Sequence, residues 1–175
     1  MNSIEYELPS HQIEETARSL GLSDENKRLQ ARRSLEAAGK KAVLILIEAL
    51  LNGNRFARRE AAEALATIKE KSTARALVVA LEDADHDVRW AAMKALIALD
   101  QDGLEPLLLA LTRNFDSAQL REGARHILNT LLKNSCLESP LLPVLEALEG
   151  MEPAATVPWA AERAWERLYG PGKKR

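Results

Sequence analysis

Side chains that could catalyse a reaction or bind a metal ion are few and scattered in this sequence. The three histidines, His11, His86 and His126, lie on different predicted helical hairpins, and no two have the spacing of metal ligands on one helix. The one cysteine, Cys136, has no neighbouring histidine or basic turn that would activate its thiol. No glycine-rich phosphate loop occurs. We therefore predict no catalytic, cofactor-binding or metal site, and no enzyme activity by this chain alone.

An acidic cluster precedes one of the predicted helices. Its members are Glu82, Asp83, Asp85 and Asp87, and their spacing is not that of a calcium-binding loop. Carboxylates just before a helix accept hydrogen bonds from its free N–H groups. Their negative charge also interacts favourably with the positive N-terminal end of the helix dipole. We interpret the cluster as a turn that caps a helix.

The composition limits the kinds of partner. The 175 residues are 46% hydrophobic but only 4% aromatic, with 29% charged, which is typical of helical arrays built on alanine and leucine. The formal net charge of −2 supplies no general attraction for nucleic acid, so we predict no nucleic-acid partner. No apolar run approaches the roughly 20 residues of a membrane span, and we expect no secretory signal. We predict a cytoplasmic protein that does not insert into a membrane.

Helix signals recur along the chain at short intervals. Capping residues, apolar stripes and glycines at helix ends predict helices over 10–20, 24–38, 40–51, 55–69, 72–83, 86–99, 103–113, 117–133, 139–149 and 154–169. The short connections favour antiparallel neighbours, so we predict an all-α domain of about five hairpins over 1–175. The hairpins are predicted over 10–38, 40–69, 72–99, 103–133 and 139–169, and residues 170–175 are predicted to be a disordered tail.

Three sequence columns repeat when the second helices of the hairpins are aligned. A small residue recurs at Ala31, Ala61, Ala92, Ala124 and Ala161. Four residues later stands a large apolar residue: Leu35, Leu65, Leu96, Leu128 or Trp165. A capping residue precedes each helix: Asp24, Asn54, Asp85, Ser117 and Thr156. A small residue lets two helices approach closely and the leucine fills the space beside it, so stacked hairpins build one continuous core.

The stretch from Asp85 to Leu96, an acidic turn followed by Val-Arg-x-Ala-Ala-x-x-Ala-Leu, resembles the HEAT repeat. The period near 31 residues is similar to the short HEAT-like repeats of phycobilin lyases. The resemblance implies a right-handed α-solenoid, a superhelix whose second helices line the concave face. The sequence departs from the pattern at both ends, where Lys27 stands at the position of Val88 and Pro158 at that of the arginine described next.

An arginine column lies seven residues before the large apolar column, at Arg28, Arg58, Arg89 and Arg121. One interpretation is that these arginines bind an acidic ligand along the array. The interpretation that we favour, implied by the resemblance, is a structural ladder in which each arginine reaches the acidic turn of an adjacent repeat, such as Asp83 or Asp116. An exposed pair of this kind contributes only about 0.2–1 kcal/mol, so the ladder would set geometry more than stability.

A second set of residues is predicted to face outward from the second helices. Its members are Arg59, Trp90, Met93, Lys94, Arg125, His126, Trp159 and Arg163. Tryptophan and arginine are enriched among the residues that dominate binding energy in protein interfaces. Two interpretations of Trp90 stay open, partner binding and packing against flanking helices. For Trp159 we favour covering the end of the core together with Trp165 and Tyr169.

These features predict a non-catalytic scaffold or adaptor that holds another protein, or a peptide segment of one, on the concave face. The phycobilin-lyase resemblance implies an alternative, a subunit of a bilin-handling enzyme. A second alternative is a DNA-binding protein similar to HEAT-like alkylpurine glycosylases, which use a basic groove with aromatic side chains. The interleaved Glu63, Glu122 and Glu162 argue against it. The sequence does not define the oligomeric state.

Overall fold

The computed structural model describes residues 9–114, 116–134 and 138–171, and in these residues all regular structure is helical. The α-helices are α1 (Ser10–Arg18), α2 (Glu25–Ala38), α3 (Val43–Asn52), α4 (Arg55–Ile68), α5 (Ala74–Ala80), α6 (His86–Leu99), α7 (Gln101–Arg113), α8 (Ala118–Asn134), α9 (Glu138–Glu149) and α10 (Pro153–Tyr169). Short 3₁₀ turns follow α1 (Ser19–Gly21) and precede α3 (Gly39–Ala42) and α5 (Lys71–Thr73). None of the described helices is long and apolar enough to cross a lipid bilayer. Cys136 and residues 172–175 of the predicted tail lie outside the described residues.

Side-chain caps begin four helices at the predicted residues. The side chains of Asp24, Asn54, Asp85 and Ser117 each accept a bond from an N–H group two or three residues further on. The predicted cap at Thr156 is wrong, because α10 begins three residues earlier at Pro153, whose ring has no N–H group to satisfy. The Thr156 hydroxyl donates instead to the carbonyl oxygen of Glu152 at 3.1 Å.

Two layers of helices build the molecule from α1 to α8. The first layer consists of α1, α3, α5 and α7, and the second layer of α2, α4, α6 and α8. The repeated alanines of the second layer, Ala31, Ala61, Ala92 and Ala124, are at most 5% exposed. The leucines that follow them, Leu35, Leu65, Leu96 and Leu128, are at most 1% exposed. The sequence columns therefore mark where neighbouring second-layer helices are buried against each other.

In the last hairpin, the first helix lies beside the second layer and the second helix beside the first layer, the reverse of the earlier hairpins. Helix α9 packs against α8, and α10 packs against α7. The expectation that α10 continues the second layer is therefore wrong. The spacing from Leu128 to Trp165 is 37 residues instead of 30 to 32, and Pro158 replaces the arginine of the earlier repeats. At the far end of α10 the Tyr169 hydroxyl donates to the carbonyl oxygen of Gln101, at the start of α7, at 3.4 Å.

Two junctions between hairpins share one unusual backbone conformation. Gly39 has φ 58° and ψ −132°, and Asp100 has φ 53° and ψ −125°. A glycine adopts these angles freely, whereas an L-residue with a Cβ is strained there. The Asp100 side chain makes no capping bond to α7 that would offset this strain.

Replacing Asp100 by glycine should therefore stabilise the fold. Relief of about 1–3 kcal/mol of strain exceeds the roughly 0.4–1 kcal/mol that glycine adds to the entropy of the unfolded chain. We expect a gain of about 1 kcal/mol in the free energy of unfolding, measured by urea denaturation. The matched variant Asp102→Gly, in the first turn of α7, should lower it. A loss of stability in Asp100→Gly as large as that in Asp102→Gly would contradict this account.

Candidate functional site

Six of the eight residues predicted to face outward lie on three consecutive helices of the second layer. Arg59 is on α4, Trp90, Met93 and Lys94 are on α6, and Arg125 and His126 are on α8. Because α4 packs against α6 and α6 against α8, these side chains share one surface. We call the surface that they form the α4–α6–α8 face.

An aromatic pair occupies the boundary between α6 and α8 on this face. The ring centroids of Trp90 and His126 are 5.1 Å apart, and the ring planes are tilted by 52°. Trp90 is 43% exposed, although it contacts His126. Met93, one turn further along α6, is half-buried and packs against the core. Pairs of aromatic rings contribute about 0.5–1.5 kcal/mol beyond their buried area, so the contact holds Trp90 in place while much of its surface stays open to solvent.

The charges on this face are of both signs, and one pair, Lys94 and Glu63, joins two helices. The Lys94 Nζ donates to Glu63 Oε1 on α4 at 2.5 Å. Arg125 and Glu122 on α8 are both exposed and form no ion pair within the described residues. The face therefore has no uniform positive field of the kind that a nucleic-acid groove requires.

A buried carboxylate lies beneath the α4 end of the face. The Glu60 side chain is 4% exposed, and its oxygens accept bonds from Arg59 Nη2 at 2.6 Å and Arg32 Nη1 at 2.9 Å. A third guanidinium, that of Arg28, has its Nε 3.7 Å from Glu60 Oε1. The bond to Glu60 raises the pKa of Arg59 above its ordinary value, although burial opposes this. Glu60 therefore ties α2 to α4 and holds Arg59 at the edge of the face.

Glu60 is not among the residues predicted from the sequence, although a signal was present. In the aligned helices its position corresponds to Ala91 in α6 and Gly123 in α8, both of which are buried. In α2 the aligned residue is the exposed Gln30, so the signal comes from α6 and α8, where a carboxylate at the buried position would require a cationic partner because an unpaired buried charge is costly. The partners are Arg28 and Arg32, one helix away.

The arginine column makes two kinds of contact. Arg58 binds the carboxylate of Asp83 with two bonds, Nε to Oδ2 at 2.6 Å and Nη2 to Oδ1 at 2.9 Å, and so joins α4 to the turn before α6. The hydrogen bond to Asp83 also raises the pKa of Arg58. Arg89 differs, because its Nη1 donates to the carbonyl oxygens of Asp83 and Ala84 in its own turn, at 2.8 and 3.2 Å.

Arg28 repeats the second kind of contact, with bonds of 2.8 Å to the carbonyl oxygens of Leu22 and Ser23. Arg121, at the start of α8, is half-buried. In Arg28, Arg58 and Arg89, the guanidinium binds carbonyl groups that the preceding turn leaves without a helical partner. The column therefore stabilises turns, and at Arg58 it also connects neighbouring hairpins.

Trp159 and Arg163 lie apart from the α4–α6–α8 face. Both are on α10, which packs against the first layer. The prediction that Trp159 covers the end of the core is wrong, because its side chain is 70% exposed. Trp165 and Tyr169, on another side of α10, are the aromatic residues that pack against the core there.

The described residues contain no group of three or more histidine, cysteine or acidic side chains that could hold a metal ion. In the acidic cluster, Asp83 accepts a bond from the N–H of Asp85 at 2.8 Å in addition to its two bonds from Arg58, and Asp85 caps α6.

Comparison with known proteins places part of this architecture in a family. Residues 43–129, from the start of α3 into α8, match the family model described as HEAT repeats. No curated protein matches the chain. The matched region contains α4, α6 and most of α8, so the α4–α6–α8 face lies on helices of HEAT repeats.

Removal of the Glu60 carboxylate should destabilise the fold strongly. Glu60→Ala removes the counter-charge that Arg28 and Arg32 share. Arg32 keeps its pair with Glu36, but the buried Arg28 keeps only carbonyl partners, so we expect a loss of about 1.5–3 kcal/mol, the usual cost of a lost bond to a charged group. Glu63→Ala is the matched control four residues away, because its pair with the 43% exposed Lys94 side chain is worth less than about 1 kcal/mol. Chemical denaturation of both variants measures the difference, and equal losses of unfolding free energy would contradict the assignment of Glu60 as the buried tie.

Proposed function

We propose that this HEAT-repeat protein is a non-catalytic interaction module that holds a segment of a partner protein on the α4–α6–α8 face. The observation that carries the proposal is the Trp90–His126 pair, an aromatic contact that joins two helices and leaves Trp90 43% exposed. The proposal includes a cytoplasmic setting and a right-handed superhelix of about five hairpins in which this face is the concave side.

The position of Trp90 supports partner binding over a purely structural role. A tryptophan that only filled the core would be buried, as Val88 and Ala92 of the same helix are. Exposing an aromatic surface of this size to water is unfavourable, and covering it on binding would recover about 25 cal/mol for each Å² of apolar area. Because His126 and the core restrain Trp90 and Met93, little conformational entropy would be lost when a partner docks.

The charges favour a protein partner over nucleic acid. Lys94 is neutralised by Glu63, and Arg59 is engaged with Glu60. Arg125 stays available for a single acidic contact, and Glu122 beside it for a single basic one. Complementary charges of both signs select a partner and its orientation, whereas DNA binding would require several unneutralised cations along one groove. Duplex DNA that bound with a steep salt dependence would support the DNA-binding alternative instead.

The similarity of the repeat length to phycobilin lyases supplies an enzymatic alternative, in which the chain would attach or detach a bilin together with a second HEAT-like subunit. This alternative predicts a different observation, because the absorbance spectrum of a bilin changes when the bilin binds to a protein. Incubation of the purified chain with bilin should leave the spectrum of the bilin unchanged if the interaction module is correct.

Substitutions on the face should weaken partner capture without loss of structure. Trp90→Ala removes the aromatic surface and Arg125→Glu reverses an exposed charge, and we expect each to lower the amount of captured partner at least tenfold. The measurement is affinity capture from cells that express the chain, with quantitative mass spectrometry of the bound proteins. Far-UV circular dichroism and thermal melting should stay close to those of the wild type.

The control for capture is Arg113→Glu, the same charge reversal at an exposed site near the end of α7 in the first layer. It should capture the same partners as the wild type. Partner recovery by Trp90→Ala and Arg125→Glu equal to that of the control would show that the α4–α6–α8 face is not the binding surface.

A further inference from the structure

A second surface feature lies between α9 and α10, the last two described helices. It is a groove of about 460 Å³. One wall is the stripe Trp159, Arg163 and Arg167, which are four residues apart and therefore lie along one side of α10. The other wall includes Pro140, Pro143 and Ala147 of α9. We call this feature the α9–α10 groove.

The groove carries positive charge on an apolar floor. Arg163 and Arg167 are both exposed and make no ion pair within the described residues, and no carboxylate lines the groove. Glu162 and Glu166 are neighbours of these arginines on α10 but are not among the lining residues. The local charge is therefore opposite in sign to the net charge of −2 of the whole chain.

No described helix covers this side of the hairpin. Helix α10 turns Val157, Ala161 and Ala164 inward, where they are at most 2% exposed, and packs against α7 and α9. Trp159, on the groove side, stays 70% exposed. In the earlier hairpins the corresponding side is covered by the next hairpin of the stack.

We propose that the α9–α10 groove binds an acidic amphipathic helix of a partner protein, at a site separate from the α4–α6–α8 face. The space between two packed helices accepts the side-chain ridge of a third, and the short side chains of Ala155 and Ala160 let its backbone approach. From Trp159 to Arg167 the wall is about 12 Å long, at about 1.5 Å for each helical residue.

The chemistry of the partner helix follows from this wall. Its apolar face covers Trp159 and the alanines, and carboxylates four residues apart meet Arg163 and Arg167. A guanidinium binds a carboxylate through two parallel N–H bonds, which makes the two arginines selective for acidic over amide side chains.

The test is a display selection of helical peptides on the full chain, with depletion on the double variant Trp159→Ala/Arg163→Glu. The enriched peptides should carry aspartate or glutamate at i and i+4 beside an apolar stripe. Fluorescence anisotropy should show at least tenfold weaker binding of an enriched peptide to Arg163→Glu, and of its Glu→Gln copy to the wild type. Arg75→Glu, at an exposed site on α5, is the matched control and should bind like the wild type.

The binding site is located by NMR of the tryptophan indole N–H groups. The peptide should shift the Trp159 signal and leave the Trp90 signal in place, which separates this site from the α4–α6–α8 face. No enrichment, enriched peptides without acidic residues, or equal weakening by Arg75→Glu would each overturn the proposal. It would also be overturned if the chain alone formed a dimer that Trp159→Ala dissociates, because a second copy would then fill the groove.

Discussion

The close approach of neighbouring second-layer helices is the constraint on which the rest of the structure depends. Ala61, Ala92 and Ala124 are completely buried, so no larger side chain fits at these positions without moving a helix. The same spacing sets the distance between Trp90 and His126 and between Lys94 and Glu63, which bridge neighbouring helices on the outer surface. The contacts on the α4–α6–α8 face therefore depend on a column of small residues that is itself buried in the core.

Charged contacts fix how neighbouring hairpins of this apolar stack are placed relative to each other. The Arg58–Asp83 pair and the Glu60 cluster each connect elements from neighbouring hairpins. The two sets of contacts differ in how deeply they are buried, and burial decides how much each contributes to the stability of the fold. Glu60 is almost completely buried and must be paired, whereas the half-buried Arg58 also binds the turn carbonyl of Gly53 and so orients the turn before its own helix. Apolar side chains therefore fill the core of the stack, and ion pairs connect its neighbouring hairpins.

Most of the fold could be predicted from the sequence, because local signals specify it. The alanine and leucine columns, and the caps Asp24, Asn54, Asp85 and Ser117, depend on neighbours within one helical turn and on a strict repeat. The order of α9 and α10 could not be predicted in this way, since it depends on which helices cover α7 and α8. Alignment of α10 with the earlier second helices placed Ala161 correctly as buried but assigned Trp159 to the wrong surroundings.

The arrangement of the α4–α6–α8 face was predictable only in part, for a related reason. Outward-facing positions follow from helical periodicity, so Trp90, Lys94 and His126 could be identified as a set. The contacts among them depend on the offset between helices, which no single helix encodes. Glu60 shows the same limit, because its partners Arg28 and Arg32 come from a different hairpin.

A partner segment bound on the α4–α6–α8 face should shield the backbone of α6 and α8 from solvent. Hydrogen–deuterium exchange of the chain, alone and with a captured partner, tests it most directly because it requires no substitution. We expect slower exchange in the parts of α6 and α8 around Trp90 and His126, with no change in α1, α3 and α5. Slower exchange confined to the first layer, with α6 and α8 unchanged, would contradict it.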